Sequence, residues 1–379
     1  MNHQNNKTFD VIVLGSGIAG ISLGSELSNY LDVCVLEKEK LTSYHSTGRS
    51  IAFYIESYGS EEIRKLTTAS KEFFYDLSKN NLNNGILKKT GMLHIANKNQ
   101  KKKLQCLYNN LIKINKNFTI FNKLKTIELL PCLNEKYIDS SIYDSEASEI
   151  DIHPLYNFYL KKLKKNNGKI ITDIQTNKFI FNDNKWKIIT NSEDFNAKIV
   201  VNAAGAWCDL IAENIGTKKI NLIPKKRTVF CFKPINTAIN NEWPLANDIE
   251  ENFYFKIDNN TVIASPEDET PTVPHDAQPD DYDIAIGIDR IKNATNFNFN
   301  TILNKWAGLR SFVKDNNPVI GFDSHINNFF WFAGQGGYGI QIAPALAKIA
   351  SNIILNKNNE YFKNQFQINL NSLHIKRFN

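Results

Sequence analysis

Three glycines and one acid near the start of the chain have the types and spacing for work on a dinucleotide. Gly15-Ser16-Gly17-Ile18-Ala19-Gly20 has the pattern Gly-x-Gly-x-x-Gly, and Glu37 follows about twenty residues past the central glycine. Each residue type has a physical task. Gly15 lets the chain turn sharply. Gly17, lacking a Cβ, lets the backbone approach a pyrophosphate. Gly20 lets a helix lie close on a sheet. Free N–H groups at the helix N-terminus, together with its dipole, attract phosphates. Glu37 has the charge and position to hold ribose hydroxyls. A carboxylate there disfavours a 2′-phosphate, so NADP ranks below NAD or FAD.

Such a site needs a strand, a tight turn, a helix and a second strand. Val11-Ile12-Val13-Leu14 is the first apolar run, and Val33-Cys34-Val35-Leu36 is the second, ending at Glu37 and Lys38. Gly24 shares the helix face of Gly20 and extends the close contact. The polar segment Tyr44-His45-Ser46-Thr47-Gly48-Arg49-Ser50 comes next. Residues 60–80 carry helical periodicity, and residues 85–145 alternate short strands with Lys/Asn-rich helical stretches. Asp151 is placed to cap a helix over 154–164. Residues 169–172, 186–190 and 197–201 read as strands, the last entering Asn202-Ala203-Ala204-Gly205-Ala206-Trp207. Residues 220–300 read as a mostly antiparallel sheet. A strand over 329–333, a Gly-rich turn over 334–339 and a helix close the chain.

The dinucleotide is therefore expected to be gripped by segments 10–37, 45–50, 200–206 and 334–341. The expected class is α/β. A Rossmann-like binding domain (1–85, 150–215 and 306–379) is interrupted by a β-rich α+β substrate domain (86–149 and 216–305).

The bulk composition narrows the class. The chain has 379 residues, with 42% hydrophobic and 22% charged, enough for two domains of ordinary globular character. The net charge of +6 is spread out, and no basic block interleaved with aromatics points to nucleic acid. Cys34, Cys106, Cys132, Cys208 and Cys231 show no paired spacing. No disulfide framework or metal site is expected, and a cytoplasmic setting is. Residues 1–9 lack a hydrophobic signal region. The apolar tract 329–355 is broken by Gln335, Gly336, Gly337, Gln341, Pro344 and Lys348, so no transmembrane span is expected.

Five ordered blocks are similar to the D-amino-acid oxidase/glycine oxidase superfamily of FAD-dependent oxidoreductases. They are the Gly15–Gly20 turn, His45-Ser46-Thr47-Gly48-Arg49-Ser50, Asn202-Ala203-Ala204-Gly205-Ala206-Trp207-Cys208-Asp209, Trp306-Ala307-Gly308-Leu309-Arg310-Ser311-Phe312, and Gln335-Gly336-Gly337-Tyr338-Gly339-Ile340-Gln341. Within that superfamily the chain most resembles the FAD-dependent D-arginine dehydrogenases. The resemblance implies noncovalent FAD and oxidative deamination of a D-amino acid. Hydride would leave Cα for flavin N5, and the imino acid would hydrolyse to a 2-oxo acid and ammonia. The electrons would pass to a quinone, a carrier or oxygen.

The same resemblance implies roles for single residues. Arg227 and Arg310 match the two arginines that hold the substrate carboxylate, a task suited to a planar, permanently charged guanidinium. Tyr58 and Tyr254 match active-site hydroxyls, and Gly337 matches a backbone group that reaches the substrate amine. His45 takes a structural or phosphate-side role rather than that of a base. Arg49, Ser50, Ala204, Gly205, Trp207, Gly336, Tyr338, Gly339, Ile340 and Gln341 complete the expected cofactor contacts.

Two positions depart from the D-arginine pattern. Phe53 stands where the family has a histidine, and Gly91 stands at or beside the glutamate that pairs with a substrate guanidinium. A cationic side chain left unpaired in a dry pocket costs several kcal/mol. The expected pocket of Phe53, Ile55, Gly91, Met92 and Gln341 therefore suits an apolar or broad range of side chains better than D-arginine. Alternatives are a secondary-amine, glycine or 2-hydroxy-acid oxidoreductase on the same scaffold, or a flavin-carrying subunit without turnover of its own.

Overall fold

The computed structural model describes residues 7–80, 85–113, 117–235 and 237–378. Residues 1–6, part of the 1–9 stretch read for a signal region, lie outside the described residues. Strand β1 (Lys7–Leu14) is followed by helix α1 (Ile18–Leu27) and strand β2 (Val33–Leu36). β1 pairs in parallel with β2 (Val13 opposite Val35) and with strand Phe195–Asn202 (Val13 opposite Val201). Lys169–Ile171 extends the sheet beyond β2, and Phe329–Ala333 extends it beyond Phe195–Asn202, both in parallel. The hairpin Thr176–Asn182/Lys185–Thr190 and the strand Val319–Phe322 pair antiparallel and complete eight strands.

A parallel sheet covered on both faces needs strands that are apolar throughout. β1 meets that need: Val11, Ile12 and Val13 are fully buried. Val11 and Val13 pack beneath α1 and helices Ile152–Lys165 and Gly339–Ile354. Ile12 faces the opposite layer, with Trp186, Phe329 and Trp331. Burying each such aliphatic side chain stabilises by about 1.5–3 kcal/mol. α1 lies close on the sheet because of its glycines. A Cβ on Gly24 would meet Val35 Cγ2 at 3.2 Å, and one on Gly20 would meet the Gly15 carbonyl oxygen at 1.8 Å.

The second sheet also has eight strands. Its order is Ile302–Phe312, Ile223–Phe232, Thr261–Ser265, Tyr254–Asp258, Leu245–Asp248, Met92–Ala96, Ser140–Asp144 and Phe118–Asn122. Its pairs are antiparallel except Leu245–Asp248 with Met92–Ala96. The expected boundary at 306 falls inside the long strand Ile302–Phe312, which pairs along Ile223–Phe232.

The stretch 220–300, expected to be mostly antiparallel sheet, also contains a helix, Asp281–Ala294. Asp280 caps it by accepting from Tyr282 N at 2.8 Å. Ile284, Ile288 and Ile291 recur at helical spacing and pack on the core of Phe230 and Phe232. Asp151 caps its helix as expected, but through His153 N at 3.0 Å, so the helix begins at Ile152. A small sheet of Phe53–Tyr54, Ser148–Ile150 and Leu87–Lys89 completes the fold. Among the described residues, no helix is long and apolar enough to cross a membrane.

Candidate active site

The C-terminal ends of β1, β2 and Phe195–Asn202 open onto a cavity of about 440 Å³. This is where open α/β sheets bind ligands. Two helix N-termini reach it. Gly17, Ile18 and Ala19 come from α1, and Gly336, Gly337, Gly339 and Ile340 from the turn into helix Gly339–Ile354 and its first residues. That helix does not close the chain as expected, because helix Glu360–Phe366 follows it. Gly15 has φ +99°, and a Cβ there would press on the Ala203 carbonyl at 2.7 Å. Gly17 caps α1 without any side chain of its own, and Thr47 Oγ1 accepts from Ile18 N at 2.9 Å. Glu37 lines the cavity, and its Oε2 accepts from Ser16 N at 2.8 Å and from Ser16 Oγ at 2.6 Å. Tyr156, absent from the sequence expectations, fixes the same turn by donating to Ser16 O at 2.6 Å.

The segment 45–50 crosses from this cradle to the second sheet. His45 sits 3.0 Å from Glu39 Oε1, and its ring lies 4.6 Å from that of Trp207. Ser46 Oγ donates to Leu309 O at 2.6 Å, and Trp306 Nε1 donates to Arg49 O at 2.9 Å. The Arg49 guanidinium turns to Asp276 and to the carbonyls of Ala277 and Ala307. Lys38, His45, Ser46, Thr47, Arg49, Ser50, Ala204, Gly205 and Trp207 all line the cavity. Gly48 does not; its N–H closes the loop on Ser43 O at 2.8 Å.

On the side of the second sheet, Arg227, Tyr254 and Arg310 line the same cavity. Arg227 lies opposite Gly308 in the pairing of their two strands, which brings it near Arg310. Arg310 donates to Tyr58 Oη at 3.3 Å, and a Cβ on Gly337 would meet its Cζ at 2.7 Å. The last glycine turn thus lies against this guanidinium. Burial raises the pKa values of Tyr58 and Tyr254 above the ordinary 10.0, so both hydroxyls stay protonated at neutral pH.

Arg227 is 5% exposed and is engaged by two carboxylates that the sequence reading missed. It donates to Glu267 Oε1 at 3.0 Å and to Glu269 Oε1 at 3.3 Å. Burial pushes the Glu267 carboxyl up to about 7, against the pull of Arg227. Glu267 Oε2 and Arg227 Nε are buried without hydrogen-bond partners, and Glu267 holds φ +52°. Between the two acids, Asp268 accepts from Thr228 N at 2.6 Å and from Thr228 Oγ1 at 3.0 Å, tying the segment to the Arg227 strand. The signal in the sequence was three consecutive acids bracketed by Pro266 and Pro271.

The profile of the DAO family, described as FAD dependent oxidoreductase, matches residues 10–353. The chain belongs to this family. It is an FAD-dependent oxidoreductase, and its β1–α1 cradle fits the cofactor: the Gly15 and Gly20 contacts leave no room for a Cβ, and no side chain of Gly17 blocks the N-terminus of α1.

Dimethylglycine dehydrogenase of Mus musculus is 22% identical over 91% of this chain and 42% of its own length. The chain spans less than half the length of the curated relatives that match it first. Among solved structures, glycine oxidase of Geobacillus kaustophilus aligns with TM-score 0.82 at 16% identity, covering 96% of this chain and 99% of that one. The L-alpha-glycerophosphate oxidase of Mycoplasma pneumoniae, with FAD bound, aligns with TM-score 0.82 at 18% identity, covering 93% and 96%. At these identities the likeness shows the fold.

Other expected site residues of this DAO-family chain stand behind the cavity. Ile55 and Met92 are buried with Ala147 and Leu245, and Phe53, Tyr58 and Tyr254 pack on that cluster. Gly91 has φ +71°, and its missing Cβ gives space to the Tyr143 ring, 2.8 Å from where it would stand. Gln341 Oε1 accepts from Ile55 N at 3.1 Å, joining helix Gly339–Ile354 to the segment that carries Tyr58. The Tyr338 ring lies 5.1 Å from that of Tyr58.

Proposed function

We propose that this chain oxidatively deaminates a D-amino acid to a 2-oxo acid and ammonia, with an apolar or broad range of side chains. The observation that carries the reading is Arg310 in the wall of the cofactor cavity, with the Tyr58 hydroxyl on one side and the Gly337 backbone on another. A guanidinium so placed grips a carboxylate. Two of the similar proteins are named for amine substrates, dimethylglycine and glycine. The five sequence blocks add the D-amino-acid assignment.

Residues 15, 17–19, Glu37, 45–47, 49–50, 204–207, 336–337 and 339–340 would hold FAD noncovalently. When bound, FAD supplies the acceptor for the hydride that leaves Cα. Arg310 takes the substrate carboxylate, and the protonated Tyr58 and Tyr254 donate beside it. Arg227 acts with Glu267 as a compensated pair rather than as a free second clamp. The Gly337 backbone meets the amine. The cluster of Ile55, Met92 and Phe53 supports Tyr58 and Tyr254 from behind the cavity wall. Electrons then pass to a quinone, a carrier or oxygen. A cytoplasmic setting, with the cysteines reduced, belongs to the same proposal.

The test is anaerobic reduction of the purified FAD-loaded protein. Bleaching by D-leucine or D-phenylalanine with higher kcat/KM than D-arginine, L-amino acids, sarcosine or 2-hydroxy acids supports the reading. Bleaching by sarcosine or a 2-hydroxy acid alone overturns the substrate class, and a strong D-arginine preference overturns the side-chain range.

A further inference from the structure

A second pocket, of about 360 Å³, lies behind Tyr58. Tyr58 stands in its wall, while the hydroxyl of the same residue reaches Arg310 in the wall of the first cavity. The charged groups of this second pocket are Arg64, Lys103, Lys225, Glu251 and Glu269. Most have an evident state. Lys225 pairs with Glu269 at 2.6 Å, and Lys103 stands at the open side, 4.0 Å from Glu250. Glu251 is exposed to solvent.

Arg64 differs from the others. It is half-buried on the first turn of helix Glu61–Ala69. Its Nε donates to Gly59 O at 3.0 Å, and among the described residues no carboxylate lies within 4.0 Å of its guanidinium. Glu61 and Glu62, its neighbours on the helix, are turned to Lys65 at 2.8 and 2.9 Å. His94, also in the wall, feels the Arg64 charge and brings no negative charge of its own; burial pulls its pKa down to about 4, so it is neutral. A half-buried guanidinium with no ion-pair partner within 4.0 Å keeps its fork free, and a planar oxyanion is its natural complement.

We infer that this pocket is an anion site, in which Arg64 holds a carboxylate or phosphate group. The group is either the far end of a substrate or a separate small anion. The inference goes beyond the proposed reaction and stands whichever substrate bond is oxidised.

Inorganic phosphate is the first probe, titrated calorimetrically into FAD-loaded protein so that the cofactor cavity is already filled. Arg64→Gln is expected to weaken phosphate about ten-fold or more, and Arg64→Lys less, because the charge remains while the fork is lost. An unchanged flavin absorbance spectrum in both variants reports an intact fold. Equal phosphate affinity in wild type and Arg64→Gln, or no binding to wild type, overturns the inference. Steady-state kinetics then separate the two sources. If Arg64→Gln raises the KM of D-glutamate but not of D-alanine, the anion is the substrate's own far end. If phosphate binding is lost and neither KM moves, the ligand is a separate anion. The phosphate arm involves no turnover, so failure of the D-amino-acid reading leaves it standing.

Discussion

Replacing Glu267 with glutamine removes one buried negative charge and keeps the shape of the side chain. Burial holds this carboxyl at about 7, above its ordinary 4.5. Such a displacement corresponds to roughly 3 kcal/mol against the ionised form in the folded chain. The sign follows from proton binding. Below pH 4.5 the carboxyl is protonated in both the folded and unfolded chain, so it contributes no difference. Between 4.5 and 7 the folded chain keeps the proton that the unfolded chain has lost, so stability falls as pH rises. Above 7 the full penalty is present.

Glu267→Gln abolishes this slope. Arg227 loses a partner in the variant, but arginine stays charged throughout, so that loss is a constant offset. Asp144, which burial raises to about 6, titrates in both proteins and cancels in the difference. The assay is urea unfolding of both proteins at saturating FAD, from pH 4.5 to above pH 7. The variant should gain on the wild type by roughly 3 kcal/mol across that range. A difference that stays constant with pH, within about 0.5 kcal/mol, refutes the reasoning and leaves Glu267 as an ordinary ion-pair partner.

Gly20→Ala puts a methyl group 1.8 Å from the Gly15 carbonyl oxygen; overpacking of this kind costs about 1–3 kcal/mol, so flavin absorbance per chain should fall at equal FAD. Tyr58→Phe removes the 3.3 Å bond to Arg310, worth about 0.5–1.5 kcal/mol, and kcat/KM in anaerobic flavin reduction should fall by about two- to thirteen-fold. Gly91→Ala strains a φ of +71° and drives a Cβ to 2.8 Å from the Tyr143 ring; urea unfolding should show about 1–3 kcal/mol of destabilisation, while flavin reduction by the folded variant changes little because Gly91 is outside the cavity wall.

The part played by Arg227 shows where local reading stops. Its guanidinium matches a family position for holding a carboxylate, yet its partners come from forty residues further along the chain. Whether an arginine is free to meet a ligand depends on which carboxylates the fold delivers to it. The same holds for Arg64, whose neighbours Glu61 and Glu62 look like partners in the sequence but turn to Lys65 instead.

The sequence by itself determined the cofactor cradle. Gly20 and Gly24 act through contacts with their own strand–helix–strand unit, whereas Gly15 and Gly17 face Ala203 and Thr47, which lie outside it, and the apolar runs of β1 and β2 encode burial on both faces. These are short-range steric and hydrophobic requirements, so composition and spacing express them directly. The helix Asp281–Ala294 was also written there, in Asp280 and the spacing of Ile284, Ile288 and Ile291, but was hidden among strand-forming neighbours. By contrast, the tertiary structure set the charge around Arg227, Arg310 and Arg64. It seated Glu267 and Glu269 on Arg227, placed Tyr143 over Gly91, moved Phe53, Ile55 and Met92 behind the tyrosines, and left Arg64 with no ion-pair partner among the described residues. Electrostatic pairing and desolvation depend on groups brought together from distant segments, and no local pattern reports them.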